Sequence, residues 1–148
     1  MEIAILALGC FWKPEMEFDK FSGIVKTEVG YCGGNVNKTN YEEVCAGKTN
    51  HAEVVKIEFD TSKVSYEDIL NYFFKIHDPT TLNKQGPDIG TQYRSEIFYC
   101  NNSQKEIAEK ILNKINQKLN GKVVTKISKE KNYCKAEEYH QKYFEKNH

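Results

Sequence analysis

Apolar residues recur along this chain with two periods, and each period predicts an element. Residues 3–8 are an unbroken apolar run, short enough for a buried strand. Residues 15–21 read as a short helix, with Pro14 acceptable near its start. Residues 24–29 and 53–59 alternate apolar and polar side chains, as half-buried strands do; Val55, Ile57 and Phe59 share one face. Ser65 with Asp68 makes a capping-box pattern. Tyr66, Ile69, Leu70, Phe73 and Ile76 then follow at helical spacing, predicting a helix over 65–77. Residues 95–100 read as a strand. Ser103 with Glu106 opens a second capped helix, carried by Ile107, Ile111, Leu112, Ile115 and Leu119 and stopped by Gly121. A strand over 123–127 and a terminal helix over 136–144 complete the set.

Two polar stretches separate these elements. One runs from Tyr31-Cys32-Gly33-Gly34 through Asn40. The other, 78–94, is rich in turn formers, and a loop of that length in a compact domain is functional or mobile. The order β-α-β-loop-β-α-loop-β-α-β-loop-α points to an α/β (α+β) fold. The two-fold periodicity around Val55 fits a sheet covered mainly on one face. The expected architecture is a two-layer sandwich on a mixed sheet, of the split β-α-β kind. Without repeats or linkers, the 148 residues are expected to form one domain.

Composition removes several function classes. Twenty-one basic and 21 acidic residues give zero formal net charge, which argues against nucleic acid as a partner. No run is long and apolar enough for a membrane span, and no membrane partner is expected. Glu2 sits where a signal peptide would carry positive charge, so a cytoplasmic location is expected. The cysteines are five, an odd number, without a C-x-x-C pair, which speaks against a disulfide framework or thioredoxin motif. His51, His77, His140 and His148 are too scattered for a zinc site, and no metal is expected.

The chemistry gathers around Gly9-Cys10-Phe11-Trp12. A cysteine at a strand-to-helix junction meets free backbone N–H groups and the positive end of a helix dipole, which stabilise a thiolate. Gly9 permits the tight turn, and two large aromatics flank the sulfur. Such a nucleophile needs a proton donor and orienting polar groups. The segments 41–55, 78–95 and 136–143 mix acids, tyrosines and histidine with turn residues. Plainer readings exist for each residue: Cys10 as a packed hydrophobe, Tyr41 and Tyr93 as core rings, Glu53 as a strand-edge charge, Asp88 as a turn former. His51 and His140 suit loop-holding hydrogen bonds better than metal binding. A redox sensor would need Cys10 alone. A thiol peroxidase would use Arg94 beside it, and an acyl-transfer enzyme a base such as His51.

Taken together, Gly9-Cys10-Phe11-Trp12, His51-Ala52-Glu53-Val54-Val55, Asp78-Pro79-Thr80-Thr81 through Gly90-Thr91-Gln92-Tyr93-Arg94-Ser95, and Ala136-Glu137-Glu138-Tyr139-His140-Gln141 resemble the A-type peptide methionine sulfoxide reductases. The resemblance runs in family order from Gly9 to about Tyr143. It implies a ferredoxin-like central plait with long loop excursions and a single catalytic domain over 1–148. It implies Cys10 as the nucleophile attacking the sulfoxide sulfur, Glu53 as the acid, and Tyr41 and Tyr93 as donors to the oxygen. Asp88 would orient the same network, and Phe11 and Trp12 would bind the substrate methyl. The implied reaction reduces methionine S-sulfoxide, free or in proteins, to methionine through a sulfenic acid. The implied cofactor set is empty apart from an external thiol: thioredoxin, glutaredoxin with glutathione, or dithiothreitol.

Three departures from the family pattern stand out. Lys13-Pro14 replaces a small glycine, and Asn50 stands where glycine precedes His-Ala-Glu; asparagine tolerates left-handed backbone. The chain reaches His148 without the glycine-containing tail whose cysteines resolve the sulfenic acid in many members. Direct attack by an external thiol is therefore favoured, with Cys134 and then Cys32 as internal resolving candidates. Cys45 and Cys100 are expected to be structural.

Overall fold

The computed structural model describes residues 1–146. The predicted domain boundary and the fourth histidine extend to His148, which lies outside the described residues. Eight strands and five α-helices follow one another among the described residues. They are β1 (Glu2–Leu8), α1 (Trp12–Asp19), β2 (Ile24–Cys32), α2 (Tyr41–Cys45), β3 (Ala52–Phe59), α3 (Tyr66–Lys75), β4 (Lys84–Gln85), β5 (Asp88–Ile89), β6 (Ser95–Tyr99), α4 (Asn102–Lys118), β7 (Lys126–Lys129), β8 (Cys134–Lys135) and α5 (Tyr143–Lys146).

Six strands make one mixed sheet in the order β7-β6-β1-β3-β2-β8, and β4 pairs only with β5. β3 lies antiparallel between β1 and β2, with Leu6 opposite Val55 and Val29 opposite Val55 on the other side. The β1–α1–β2 unit is thus split by an inserted strand, as expected for the fold class. β7 runs parallel to β6, which makes the sheet mixed. Alternation then sorts the strands onto two faces. On one, Leu6, Val29, Val55 and Ile57 pack against Phe18, Ile69, Phe73 and Ile111 of the helices; on the other, Ile5, Cys32, Val54 and Phe98 form a smaller cluster.

α3 forms where the capping box predicts it. Ser65 Oγ accepts from the Asp68 N–H at 3.0 Å, and Asp68 Oδ2 accepts from the Ser65 N–H at 3.1 Å. Ser65→Ala removes the oxygen that accepts from the Asp68 N–H, keeps the backbone N–H that donates to Asp68 Oδ2, and is expected to cost about 1 kcal/mol. A chemical-denaturation midpoint at unchanged slope measures it. α4 is capped two residues earlier than expected. Asn101, not Ser103, accepts from the Gln104 N–H at 2.9 Å, its backbone extended as an N-cap requires.

Other boundaries also move. α1 begins at Trp12 rather than residue 15, since the N–H that Pro14 lacks falls in the first turn, where no partner is needed. β2 runs on through Cys32, so Tyr31 and Cys32 are buried strand residues rather than the start of a loop. β7 is shifted to 126–129, because Val124 N–H donates to Pro79 O (2.8 Å) and the Thr125 hydroxyl pairs with Ser95. Residues 136–144 are not a helix. They hold a short 3-10 turn at Glu138–His140, then Lys142 at φ +53, then α5. Their polar groups serve other elements instead. The Gln141 amide bridges both backbone groups of Val29 at 2.9 Å, like an added strand residue, and the Lys142 N–H donates to buried Glu15 at 2.7 Å.

Candidate active site

Cys10 sits in the turn between β1 and α1 and is half-buried. Gly9 makes that turn at φ +97, and a Cβ there would meet Gln85 side-chain carbons at 2.8 Å, so only glycine fits. A cavity of about 250 Å³ opens beside the sulfur, walled by Leu8, Pro14, Ile76, His77 and Asp88 among others. His77 is not a base there. Its Nδ1 meets Phe73 O and its Nε2 meets the Ser95 hydroxyl, and burial pushes its pKa down to about 4.

The acid comes from β3. Glu53 is only 1% exposed, a rare setting for a glutamate, and not a solvated strand edge. Its Oε1 accepts from the Phe11 N–H at 3.2 Å, the residue next to the nucleophile. Its Oε2 is buried and has no hydrogen-bond partner among the described residues. Burial pushes the carboxyl pKa up to about 8, the Phe11 bond opposes this, and the charge of Asp88 adds to it. At neutral pH Glu53 is therefore a carboxylic acid with a proton to give.

Cys10 itself departs from expectation. Burial pushes its thiol up to about 12, against the lowering by a hydrogen bond from the Trp12 N–H. Desolvation outweighs the helix terminus, and the resting nucleophile is a neutral thiol rather than a thiolate. The Asp88 carboxylate also raises it, as would Glu53 once ionised.

Tyr41 and Tyr93 complete the cluster. Both are half-buried, and burial first of all raises both phenols, Tyr93 to about 12, so they remain O–H donors at neutral pH. Glu53 acts electrostatically on both. Asp88 lies at the start of β5, in the loop predicted over 78–94. That loop is ordered by the Gln85 side chain, which bonds both backbone groups of Asp78. The two aromatics after Cys10 divide. Phe11 is buried, 5.7 Å from the Tyr31 ring and 5.2 Å from His140. Trp12 stacks on Tyr143 at 3.7 Å and lines a separate hollow of about 280 Å³.

His51 and His140 hold structure. His51 Nδ1 accepts from the Gly34 N–H at 3.1 Å and its Nε2–H donates to Val36 O at 2.7 Å. The ring lies so close that a Cβ on Gly34 would meet it at 2.6 Å. Asn50 takes the left-handed backbone, φ +58, that the missing glycine requires. With both nitrogens occupied, His51 offers no base for acyl transfer. Arg94 is spent as well, on Glu96 (2.7 Å), Thr91 O and Asn50 O, so it does not serve a peroxidatic thiolate. His140 Nδ1 accepts from the Trp12 indole at 3.0 Å. Among the described residues, no three His, Cys, Asp or Glu side chains are grouped to hold a metal ion, and no helix is long and apolar enough to cross a membrane.

Sequence reasoning missed Glu137. Its Oε1 accepts from the Tyr31 hydroxyl at 2.8 Å and its Oε2 from the Tyr41 N–H at 2.9 Å, tying the C-terminal segment to the donor tyrosine. No periodicity marks it, since it serves partners about a hundred residues away. Glu137→Ala leaves the buried Tyr31 phenol unpaired and frees the start of α2. It is expected to cost about 1–3 kcal/mol and to lower kcat/KM, with Glu137→Gln milder in both. Melting curves and steady-state rates check it.

The cysteines differ from expectation. Cys32 is fully buried in β2, on the sheet face opposite Tyr31, because the strand continues where glycines suggested a flexible loop. Cys45 and Cys100 are exposed, not packed, since each lies at the end of its helix or strand. Cys134 is half-buried in β8, with its Sγ 3.8 Å from Thr39 O.

Comparison with known proteins gives a consistent result. A family model described as "Peptide methionine sulfoxide reductase" matches residues 2–148. A relative from Pelagibacter ubique named peptide methionine sulfoxide reductase MsrA is 66% identical over 146 residues, covering 99% of each chain. Mxr1 from Saccharomyces cerevisiae in reduced form superposes with a TM-score of 0.94 at 39% identity, over 99% of this chain and 85% of that one. Mxr1 in complex with Trx2 superposes with a TM-score of 0.69 at 26% identity, over 96% and 84%.

Proposed function

This chain belongs to the peptide methionine sulfoxide reductase family, enzymes that reduce methionine sulfoxide, and we propose that it acts on the S epimer, free or in proteins, through a sulfenic acid on Cys10. The single observation that carries the mechanism is the buried Glu53 carboxyl. One oxygen is fixed by the Phe11 N–H, and the other, without a hydrogen-bond partner among the described residues, is left free to carry the proton.

In this reading the sulfoxide oxygen accepts from Glu53 Oε2–H and from the Tyr41 and Tyr93 phenols. As Glu53 releases its proton to that oxygen, the sulfoxide sulfur becomes electrophilic and Cys10 attacks it. The thiol proton returns to the glutamate. The hydroxyl then passes from the methionine sulfur to Cys10: the S–O bond and the S–S bond made by the attack both break and a Cys10 S–O bond forms, so methionine sulfur is reduced by two electrons and Cys10 is oxidised to the sulfenic acid. Asp88 would orient water and substrate in the same network, and Phe11 and Trp12 would contact the methyl group. A neutral resting thiol suits this sequence. It gives up its proton to Glu53 only once the glutamate has passed its own to the sulfoxide oxygen.

Reducing equivalents come from an external dithiol. A thioredoxin is the candidate, because a neighbour of the same fold is described in complex with Trx2. Five unpaired cysteines suit a reducing compartment, and we place the protein in the cytoplasm as one catalytic domain. The test is turnover of resolved epimers with dithiothreitol. Consumption of the S sulfoxide and formation of equal methionine is expected; turnover of the R epimer alone, or of neither, overturns the reading.

A further inference from the structure

The Arg94–Glu96 ion pair lies behind the site rather than in it. Arg94 is 8% exposed and Glu96 4%, a depth that either charge reaches only when paired. Along β6, Glu96 shares a face with Phe98; along β3, Glu53 shares the other face with Val55. The ion pair and the acid are therefore on opposite sides of the sheet. A Cβ on Gly33 would meet both the Phe98 ring and an Arg94 nitrogen, which sets the guanidinium on that reverse face. Its three nitrogens serve three places. Nε donates to Glu96 Oε1 at 2.7 Å, Nη1 to Thr91 O at 2.8 Å, and Nη2 to Asn50 O at 3.1 Å. Thr91 opens the 3-10 turn that carries the Tyr93 phenol. Asn50 leads into β3 just before Glu53, and Glu96 pairs with Ala7 on β1, the strand that runs into Cys10. Glu96 is held from its other oxygen by the Ser128 hydroxyl.

We propose that Arg94 is a positioning residue for the reaction, clamping the turn that carries Tyr93 to the loop that leads into Glu53, with Glu96 as its anchor. The inference rests on the roles given to Tyr93 and Glu53 above. A buried ion pair adds little net stability over well-packed apolar side chains, because the cost of desolvation offsets its attraction. What apolar side chains do not supply is a planar fork that meets a carboxylate and two carbonyl oxygens at once. The two loops need such a fork. Gly90 at φ +148 and Asn50 at φ +58 take backbone conformations that local preference does not favour, and each stands next to or within a few residues of a catalytic side chain. Arg94 touches no reacting atom. It fixes where the phenol and the acid meet the sulfoxide oxygen, and a misplacement of about 1 Å there costs on the order of 10²-fold in rate.

The test is the single-turnover rate of methionine formation from the S sulfoxide. It is measured in the paired variant Arg94→Met with Glu96→Leu, in Arg94→Lys, and in each of these with and without Tyr93→Phe. The paired variant removes both charges, so no buried charge is left alone, and its melting temperature is expected to hold. Its rate is expected to fall by about 10². Tyr93→Phe is expected to slow the unaltered enzyme far more than it slows the paired variant, since there the phenol is already out of place. Arg94→Lys keeps the ion pair without the fork and should be slowed with the same loss of sensitivity to Tyr93→Phe; it carries the comparison should the apolar pair not fold. A full rate in a folded Arg94 variant, or a Tyr93→Phe factor equal in all backgrounds, overturns the inference and leaves the reaction standing. An unchanged rate in Tyr93→Phe alone overturns the donor role of Tyr93 and the inference with it.

Discussion

Cys10→Ser is expected to abolish reduction of methionine sulfoxide, by a factor on the order of 10⁵ or more, while leaving the fold intact. Serine oxygen does not take up the sulfoxide oxygen, so no redox step remains; what is lost is the reaction, not one contribution to it. The substitution is mild structurally. Cys10 is half-buried in a turn, and burial already keeps its thiol neutral, so a neutral hydroxyl changes no charge in the cluster. Turnover at the level of the uncatalysed control, with an unchanged melting temperature, is the expected pair of readings.

Glu53→Gln is expected to lower kcat/KM by about 10²–10⁴, the usual worth of a positioned general acid. Glutamine keeps an oxygen for the Phe11 N–H and a donor for the sulfoxide, so binding survives and proton transfer does not. The pH dependence follows in sign. The carboxyl is raised from 4.5 to about 8, so its acid form is present below that pH and lost above it. Activity of the unaltered enzyme should fall as pH rises through about 8, and Glu53→Gln should lack that limb. Stability follows the same proton. Between 4.5 and 8 the folded chain holds a proton that the unfolded chain has released, so the stability tied to it is lost as pH rises across that window. Glu53→Gln removes this loss and should melt higher than the unaltered protein under alkaline conditions, trading activity for stability.

The sheet and its long helices were legible because burial on one face writes a period into the sequence. Val55, Ile57 and Phe59 marked β3, and the apolar spacing after Ser65 marked α3. α2 was not legible, since its five residues are too few to show a period, and its cap Asn40 looked like one more loop residue. Residues 136–144 carried a helix-like pattern for another reason. His140, Gln141 and Glu137 alternate in their duties to Trp12, Val29 and Tyr41, and such long-range hydrogen bonds leave no local trace. Cys10 and Glu53 stood out through their motifs. The protonation state of Cys10 did not. The helix terminus visible in sequence favours a thiolate, and the desolvation that overrides it exists only once the chain has folded. Cys45 was misplaced for the same cause, because its exposure depends on where α2 ends.

The most direct test of the site is a titration of the Glu53 carboxyl carbon by ¹³C NMR, in protein labelled at glutamate and assigned through Glu53→Gln. A single carboxyl titrating near pH 8, with the Cys10 thiol still protonated at that point, is the expected result. A Glu53 carboxyl that ionises near 4.5, in the ordinary glutamate range, would contradict the account, because no acid would then be left at neutral pH to protonate the sulfoxide.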